Sequence, residues 1–225
     1  MSQTKVPVYL MPGMAANSSI FKNIQLPDDR FETHRLEWFV PDRGMTLSEY
    51  AQVMCANIKH ENPVLVGVSF GGILVQEIAR HVQARKVIII SSVKSKRELP
   101  KRLIFAKYTK IHKLLPTGLV NNVELLAKYA FGEIVTRRLE LYEQYLSIRD
   151  KYYLDWAIDQ MVHWNQVEYD PDVIHIHGDR DAVFPIQHIK NCIRIEKGSH
   201  IMILNRSNWF NQRLPTIILE EGSSI

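Results

Sequence analysis

A serine flanked by glycines, at the junction of an apolar strand and an amphipathic helix, constrains the fold more than any other feature. Val64–Val68 is apolar throughout, as expected for a strand buried on both faces of a parallel sheet. Gly67 and Gly71 stand two residues on either side of Ser69, and a helical pattern over 72–82 follows. This context predicts a sharp strand-to-helix turn that holds Ser69 in strained backbone angles above the sheet. The N–H groups at the helix start would face a negatively charged oxygen there.

Short apolar runs alternate with helical patterns along most of the chain. Thr46 is a predicted N-cap, and Glu49 three residues later completes a capping box. Such alternation is typical of a parallel sheet covered by helices. We therefore predict an α/β fold with a mostly parallel central sheet flanked by helices. The predicted strands are 6–10, 31–38, 64–68, 87–90, 173–176 and 192–195, and the predicted helices are 48–58, 72–82 and 208–214.

The segment 94–168 interrupts this alternation, because it contains no convincing strand. Pro100 and Pro116 break it into pieces, and seven of the nine tyrosines and two of the four tryptophans fall between 105 and 169. We predict a helical cap inserted over the strand ends at 94–168, in a core formed by 1–93 and 169–225. The aromatic rings would either line an apolar pocket or pack the cap helices. Helical spacing is seen at Leu119, Val123 and Leu126, and at Leu141, Tyr142, Tyr145 and Leu146.

Composition and charge exclude several classes of protein. At 225 residues, 46% hydrophobic and 23% charged, the chain is not disordered and needs no disulfide or metal to stabilise its core. The excess of 28 basic over 24 acidic residues is mild, so no nucleic-acid partner is predicted. Part of that excess lies between Lys94 and Lys113, where eight Lys and Arg accompany one acid, Glu98. We expect a solvated helical face there, or else a patch for an anionic ligand, lipid headgroup or partner.

Targeting and cofactor motifs are missing from the sequence. The first dozen residues contain Pro7 and Pro12 and no basic stretch before an apolar one, so no signal peptide is expected. No apolar run approaches the ~20 residues that span a bilayer, and we expect a cytoplasmic protein without a membrane span. Cys55 and Cys192 are far apart and lack CxxC spacing. Without a phosphate loop or GxGxxG fingerprint, no metal, nucleotide or organic cofactor is predicted. Composition predicts no oligomeric state.

A nucleophilic serine requires a base and an acid that orients the base, in the chain order Ser, Asp or Glu, His. Four histidines lie late enough in the chain: His175, His177, His188 and His200. His175 and His177 share one face of a strand and are predicted to pack or to hydrogen bond, and His188 falls in the helix after Pro185. His200 is the predicted base, because it follows Lys197-Gly198-Ser199 in a loop that leaves the last strand. Asp181 is the predicted acid, with Asp179 as the alternative.

The loop after the first strand, 10–15, is the predicted source of a second oxyanion donor. Gly13 allows the chain to turn, and the backbone N–H of Met14 is the predicted donor. Because a backbone donor does not depend on its side chain, residue identity cannot test this role. An ordinary turn at a strand end would have a similar sequence.

Three segments in order resemble the α/β-hydrolase superfamily over nearly the whole chain. They are LVGVSFGG at 65–72, HGDRDAVFP at 177–185 and KGSHIMIL at 197–204. The resemblance implies Ser69 as nucleophile, His200 as general base, Asp181 as orienting acid, and the N–H groups of Phe70 and Met14 as the oxyanion hole. The usual His-Gly of the oxyanion loop is Pro12-Gly13 here, and the N-terminal hairpin is missing, so a minimal six-strand core is implied.

The function implied is that of a serine hydrolase, a carboxylesterase that cleaves a small or medium acyl ester through a covalent acyl-enzyme. The expected partner is a small-molecule ester, with no cofactor. One fold hosts many chemistries, so the alternatives are a lyase, cofactor-free oxygenase or perhydrolase on the same residues. A catalytically silent binding protein on this scaffold is the third class.

Overall fold

A single six-stranded parallel sheet forms the centre of the molecule. A computed structural model describes residues 4–101, 103, 145, 148 and 150–220. The strands are β1 (Val6–Met11), β2 (Phe31–Arg35), β3 (Val64–Val68), β4 (Lys86–Ile90), β5 (Ile174–Gly178) and β6 (Ile193–Ile195). Their order across the sheet is β2-β1-β3-β4-β5-β6, and every neighbouring pair is parallel. The predicted α/β class and the number of strands are confirmed.

Helices connect the strands and cover both faces of the sheet. In the described residues they are α1 (Leu47–Cys55), α2 (Phe70–Ile78), α3 (Lys151–His163), α4 (Met202–Asn205) and α5 (Ser207–Leu219), with short 3₁₀ turns at Ser18–Phe21, Lys96–Glu98 and Ile186–His188. None of these helices is both long and apolar enough to cross a membrane.

Helix α1 begins at the predicted capping box. The Thr46 hydroxyl accepts a hydrogen bond from the Glu49 N–H at 3.3 Å, and the Glu49 carboxylate accepts one from the Thr46 N–H at 2.8 Å. The hydrogen bonds with Thr46 lower the pKa of Glu49, which keeps the carboxylate charged beside the helix start. The helix ends at Cys55, three residues before the predicted position.

The direction of strand addition reverses at β1, which has β2 on one side and β3 on the other. Open α/β sheets bind ligands outside the carboxyl ends of the strands at such a reversal. Two segments leave those ends here: the loop 12–15, which follows β1, and Ser69, which follows β3. Strand order alone therefore brings the two predicted catalytic segments together.

The core consists of two apolar layers, one on each face of the sheet. Alternate residues of β1 divide between them, so that Tyr9 packs in one layer and Leu10 in the other. The first layer includes Leu74 of α2, and the second includes Leu214 of α5. With both faces covered, β3 is buried along its whole length, as its apolar sequence predicted.

Lys94 and Glu98 are buried, although the sequence predicted a solvated helical face or a surface patch at 94–113. Lys94 is 2% exposed; its Nζ donates to the Asn191 carbonyl oxygen at 3.0 Å and lies 4.3 Å from the centre of the Tyr169 ring. Glu98 is also buried and accepts a hydrogen bond from the Lys94 N–H at 2.6 Å. These two residues therefore belong neither to a solvated face nor to a surface patch.

Helix α3 is the long described element of the predicted cap segment 94–168. The helical patterns predicted at 119–126 and 141–146 lie outside the described residues apart from Tyr145, as does most of the basic stretch after 101. The division into a core and a cap therefore stays a prediction.

The second strand ends at Arg35 and not at 38, because Trp38 turns to donate its indole N–H to the Gly13 carbonyl oxygen at 2.8 Å.

Candidate active site

Ser69 occupies the sharp turn between β3 and α2 that the sequence predicted. Its backbone angles are φ 78° and ψ −116°, a conformation that costs free energy in a residue with a side chain. Two hydrogen bonds hold it there: the Ser69 N–H donates to the Ile90 carbonyl oxygen at 3.0 Å, and the Ser69 carbonyl oxygen accepts from the Ser92 hydroxyl at 2.7 Å. Strand β4 and the residues directly after it thus hold the strained turn in place.

The two flanking glycines are required by close approach of the backbone. A Cβ atom at Gly67 would overlap the Gly71 carbonyl oxygen, and one at Gly71 would overlap the Pro12 carbonyl oxygen. Gly71 therefore allows the loop after β1 to lie directly against the turn. The helix α2 starts at Phe70, two residues earlier than predicted, because Gly71 and Gly72 form part of its first turn.

The structure brings Ser69, His200 and Asp181 together in a hydrogen-bonded chain. The Ser69 Oγ lies 2.9 Å from Nε2 of His200, and Nδ1 of His200 lies 2.9 Å from Oδ2 of Asp181. A carboxylate only accepts hydrogen bonds, so Nδ1 of His200 carries the proton and Nε2 accepts the serine hydroxyl. This is the tautomer that a general base requires.

Asp181 is buried, and both of its carboxylate oxygens accept hydrogen bonds. Its Oδ1 accepts hydrogen bonds from the N–H groups of Val183 at 2.8 Å and Phe184 at 2.9 Å. Burial by itself would raise the pKa of Asp181, but His200, His177 and the Phe184 N–H together outweigh burial and lower it. The carboxylate therefore stays ionised beside the imidazole.

Two further histidines stand behind Asp181 in β5. Nε2 of His177 lies 2.8 Å from the Phe184 carbonyl oxygen and 3.6 Å from Oδ2 of Asp181. The carbonyl oxygen only accepts, so Nε2 carries the His177 proton, and its Nδ1 accepts from Nε2 of His175 at 3.0 Å. Burial lowers the pKa of both rings, more strongly for His175. The sequence predicted hydrogen-bonding histidines here but not their contact with the Asp181 turn.

The loops that carry the acid and the base touch through their main chains. A Cβ atom at Gly178 would overlap the Gly198 carbonyl oxygen, and the Arg180 N–H donates to that oxygen at 2.8 Å. The Asp179 N–H donates to the Ile195 carbonyl oxygen at 3.2 Å. Sequence reasoning missed this contact, because it depends on two glycines that are far apart in the chain.

The loop after β1 lies beside Ser69. A Cβ atom built on Gly13 would be 3.4 Å from the Cβ of Ser69, which places Met14 next to the serine. Phe70 is the first residue of α2, so its N–H has no intrahelical acceptor. The oxyanion roles of Met14 and Phe70 stay predictions, and the geometry is compatible with them.

Asp179 and His188, which the sequence also offered as an acid and a late histidine, lie away from this chain of hydrogen bonds. The Asp179 carboxylate, on a side chain that is 15% exposed, pairs with Nη2 of the exposed Arg194 at 3.2 Å. His188 lies in the 3₁₀ turn Ile186–His188 and is 3.4 Å from the side-chain amide of Gln187. Asp181 and His200 are the pair that meets Ser69.

Comparison with known proteins identifies the fold. No protein-family model matches the sequence, and a search of curated proteins finds no relative. Among solved structures, a thermophilic esterase from Thermogutta terrifontis is 14% identical with a TM-score of 0.63, covering 96% of this chain and 90% of the other. A lipase-esterase related protein from Clostridium acetobutylicum is 16% identical with a TM-score of 0.64, covering 96% of each chain. The chain has the α/β-hydrolase fold.

A bromoperoxidase from Bacillus anthracis has the same fold. It is 18% identical with a TM-score of 0.66, and the match covers 97% of this chain and 93% of the other. Esterases and a bromoperoxidase thus share the architecture. At these identities the likeness establishes the fold, and the chemistry must be argued from the site.

Aromatic rings pack behind the loop that follows β1. Trp38 stacks on Phe70 with ring centres 5.2 Å apart, and the centre of the Tyr153 ring lies 5.8 Å from that of Trp38. The Tyr153 hydroxyl accepts a hydrogen bond from the Ala15 N–H at 3.1 Å, where Ala15 has a positive φ of 60°. Tyr153 and Trp156 of α3 are buried in the core, so these two rings are packing residues and not an open pocket wall.

Proposed function

We propose that the protein is a serine hydrolase, a carboxylesterase that cleaves a small or medium acyl ester through Ser69, His200 and Asp181. The observation that supports this most strongly is the pair of 2.9 Å contacts that join the strained serine to the imidazole and the imidazole to a buried carboxylate. A binding protein has no physical need for all three groups in this order.

Acylation begins with proton transfer from the Ser69 hydroxyl to Nε2 of His200. The Ser69 oxygen forms a bond to the ester carbonyl carbon, and the carbonyl oxygen becomes an oxyanion that accepts from the N–H groups of Phe70 and Met14. The carbon–oxygen bond to the alcohol then breaks, and His200 gives its proton to the departing alkoxide. Asp181 stabilises the imidazolium that exists between these two steps.

Deacylation repeats the sequence with water as the nucleophile. His200 takes a proton from a water molecule, whose oxygen attacks the acyl carbon of the Ser69 ester. The same two N–H groups hold the second oxyanion, and the proton returns to Ser69 as the acid leaves. No step of this mechanism requires a metal or an organic cofactor.

The first test is labelling of the purified protein with a fluorophosphonate probe, which reacts with an activated serine and requires no knowledge of the substrate. We expect labelling at Ser69 that is lost in Ser69→Ala and His200→Ala. Ser48→Ala, at an exposed serine of α1, is the matched control and should label like the wild type. A panel of esters of graded acyl length then identifies the preferred acyl group.

Absence of labelling in the folded wild-type protein, or labelling of a different serine, would contradict the proposal. Labelling at Ser69 without turnover of any ester would keep the activated serine but reject ester hydrolysis. That outcome would favour one of the other chemistries known on this architecture.

A further inference from the structure

Two histidines and a glutamate converge at the edge of the sheet, away from Ser69. Glu32 and His34 are alternate residues of β2, so their side chains project from the same face. His60 reaches them from the loop between α1 and β3. One potential ligand atom from each side chain lies within 4.8 Å of the others. The sequence predicted no metal site, because the strand and this loop are well separated along the chain.

The distances within this cluster match the spacing of ligands around a metal ion. Oε1 of Glu32 lies 3.1 Å from Nε2 of His34 and 3.5 Å from Nε2 of His60. Two ligand atoms each bonded about 2.0–2.1 Å from a tetrahedral zinc ion are roughly 3.3 Å apart. Both separations are therefore close to the edges of a zinc coordination polyhedron.

The Nε2 atom of His34 is available as a ligand. It is buried, and it makes no hydrogen bond to any residue that the structure describes, although Oε1 of Glu32 is 3.1 Å away. A buried ring nitrogen without a hydrogen bond costs free energy. A cation between the nitrogen and the carboxylate would satisfy both atoms.

Tyr9 of β1 supports both histidines. Its ring stacks on that of His34, with centres 4.6 Å apart, and its hydroxyl oxygen lies 2.7 Å from Nδ1 of His60. The same oxygen accepts a hydrogen bond from the Lys59 N–H at 2.9 Å and has a second lone pair for a proton on Nδ1. With that proton on Nδ1, Nε2 of His60 presents its lone pair to a metal. Ligating histidines are generally oriented by such a partner.

We propose that Glu32, His34 and His60 form a binding site for one zinc ion. Two imidazoles and a carboxylate favour zinc over calcium or magnesium, which prefer oxygen ligands alone. The three side chains are 50%, 30% and 34% exposed, so an ion can enter from solvent and a water molecule can complete the coordination. The site joins the edge strand β2 to the loop before β3.

This site is independent of the proposed hydrolase. The register pairs His34 with Tyr9, and Tyr9 with Leu65, which precedes Ser69 by four residues. At about 3.3 Å per residue the two sites are separated by roughly 13 Å along the strands, in addition to the width of two strands. Zinc binding is therefore expected whether or not Ser69 acts on esters.

The test is titration of untagged, chelator-treated protein with zinc, by calorimetry or by competition with a chromophoric chelator. We expect one ion per chain and a higher midpoint of thermal unfolding with zinc present. Glu32→Gln, His34→Gln and His60→Gln should each weaken binding at least tenfold. Tyr9→Phe should weaken it about 10- to 100-fold, the usual effect of removing a partner that orients a ligand.

His81→Gln removes an exposed histidine outside the cluster and is the matched control, which should bind zinc like the wild type. Circular dichroism of each variant establishes that it is folded. No zinc binding by the folded wild-type protein would overturn the proposal. So would equal binding by the wild type and the folded Glu32→Gln, His34→Gln and His60→Gln variants, which would indicate adventitious binding to surface histidines.

Discussion

At the scale of single residues, the acid loop shows how neighbouring aspartates acquire different environments. Asp179 is partly buried and pairs with the exposed Arg194. Asp181 is fully buried and accepts hydrogen bonds from two backbone N–H groups and from the His200 imidazole. Spacing in the sequence favoured Asp181 but could not exclude Asp179, because the direction of each side chain depends on how the turn closes.

Asp181→Asn is expected to reduce kcat by about 10⁴-fold, the order of loss typical of removing this charge from a Ser-His-Asp triad. The amide would donate to Nδ1 of His200, which moves the imidazole proton to Nε2 and removes the acceptor for the Ser69 hydroxyl. Steady-state ester hydrolysis measures the effect. Asp179→Asn is the matched control and should retain nearly full activity. The reverse order of losses would make Asp179 the orienting acid.

At the scale of elements, helix α3 is tied to the loop that carries the predicted donor Met14. The Ala15 N–H donates to the Tyr153 hydroxyl, the Ile148 N–H donates to the Ala15 carbonyl oxygen at 3.3 Å, and the Asn17 N–H donates to the Tyr145 carbonyl oxygen at 2.8 Å. Tyr145, Ile148 and Tyr153 therefore hold the loop after β1 in place.

Tyr153→Phe is expected to lower the free energy of unfolding by about 1–3 kcal/mol, because it leaves the buried Ala15 N–H without an acceptor. We also expect kcat to fall, by less than the 10²–10³-fold that loss of a whole oxyanion donor costs. Urea denaturation and ester kinetics measure the two effects. Tyr152→Phe, at the neighbouring tyrosine, removes only exposed hydrogen bonds with the Gly44 N–H and the Asp42 carbonyl oxygen. It should cost less stability than Tyr153→Phe and leave kcat unchanged. Lost stability with unchanged kcat would restrict Tyr153 to a packing role.

Element positions were more predictable than element ends. The apolar run of β3 predicted its bounds, because a strand buried on both faces has few polar residues to blur its limits. The predicted start of α2 was two residues too late. Gly71 and Gly72 suggested a boundary, but both lie inside the helix, where they leave room for the Pro12 backbone and the Ser92 side chain. Helix α3 contains Tyr152, Tyr153 and Trp156, and its bounds were not predicted.

At the scale of the whole molecule, the buried histidines of β5 link the stability of the fold to pH. Burial lowers the pKa of His175 and His177, so both stay neutral in the folded chain at pH values where they are protonated in the unfolded chain. The unfolded state then binds more protons, and the free energy of unfolding falls as the pH drops below the ordinary histidine value of 6.5. Each ring contributes up to about 1.4 kcal/mol per pH unit.

His175→Gln should flatten this dependence between pH 7 and 5.5, because an amide does not titrate and its N–H can still donate to His177. Urea denaturation at several pH values measures the slope, and His81→Gln controls for loss of a surface histidine. Burial raises the pKa of Glu98, which acts in the opposite direction just above its ordinary value of 4.5, so the comparison stops above that range. An unchanged slope in His175→Gln would contradict the prediction.

The architecture was thus largely predictable, because it depends on local pattern: apolar strands that alternate with amphipathic helices. The sequence also predicted the three side chains that the structure brings together, Ser69, Asp181 and His200, and their catalytic roles stay predictions. What escaped prediction depends on register and on loop closure. Tyr9 meets His34 only because β1 and β2 pair in one particular register, and Gly178 meets Gly198 only because β5 and β6 are neighbours. A single sequence does not show which strands are neighbours or in which register they pair, so these contacts could not be predicted from it.

The contact between Gly178 and Gly198 has a consequence for engineering. Since the main chains of the acid and base loops touch there, the two loops form one structural unit although β6 separates them in sequence. A chimera that exchanges only one of them with another protein of the α/β-hydrolase fold would mismatch this contact and displace Asp181 from His200. Exchanges of this region should therefore take the whole of 174–204 as a single cassette.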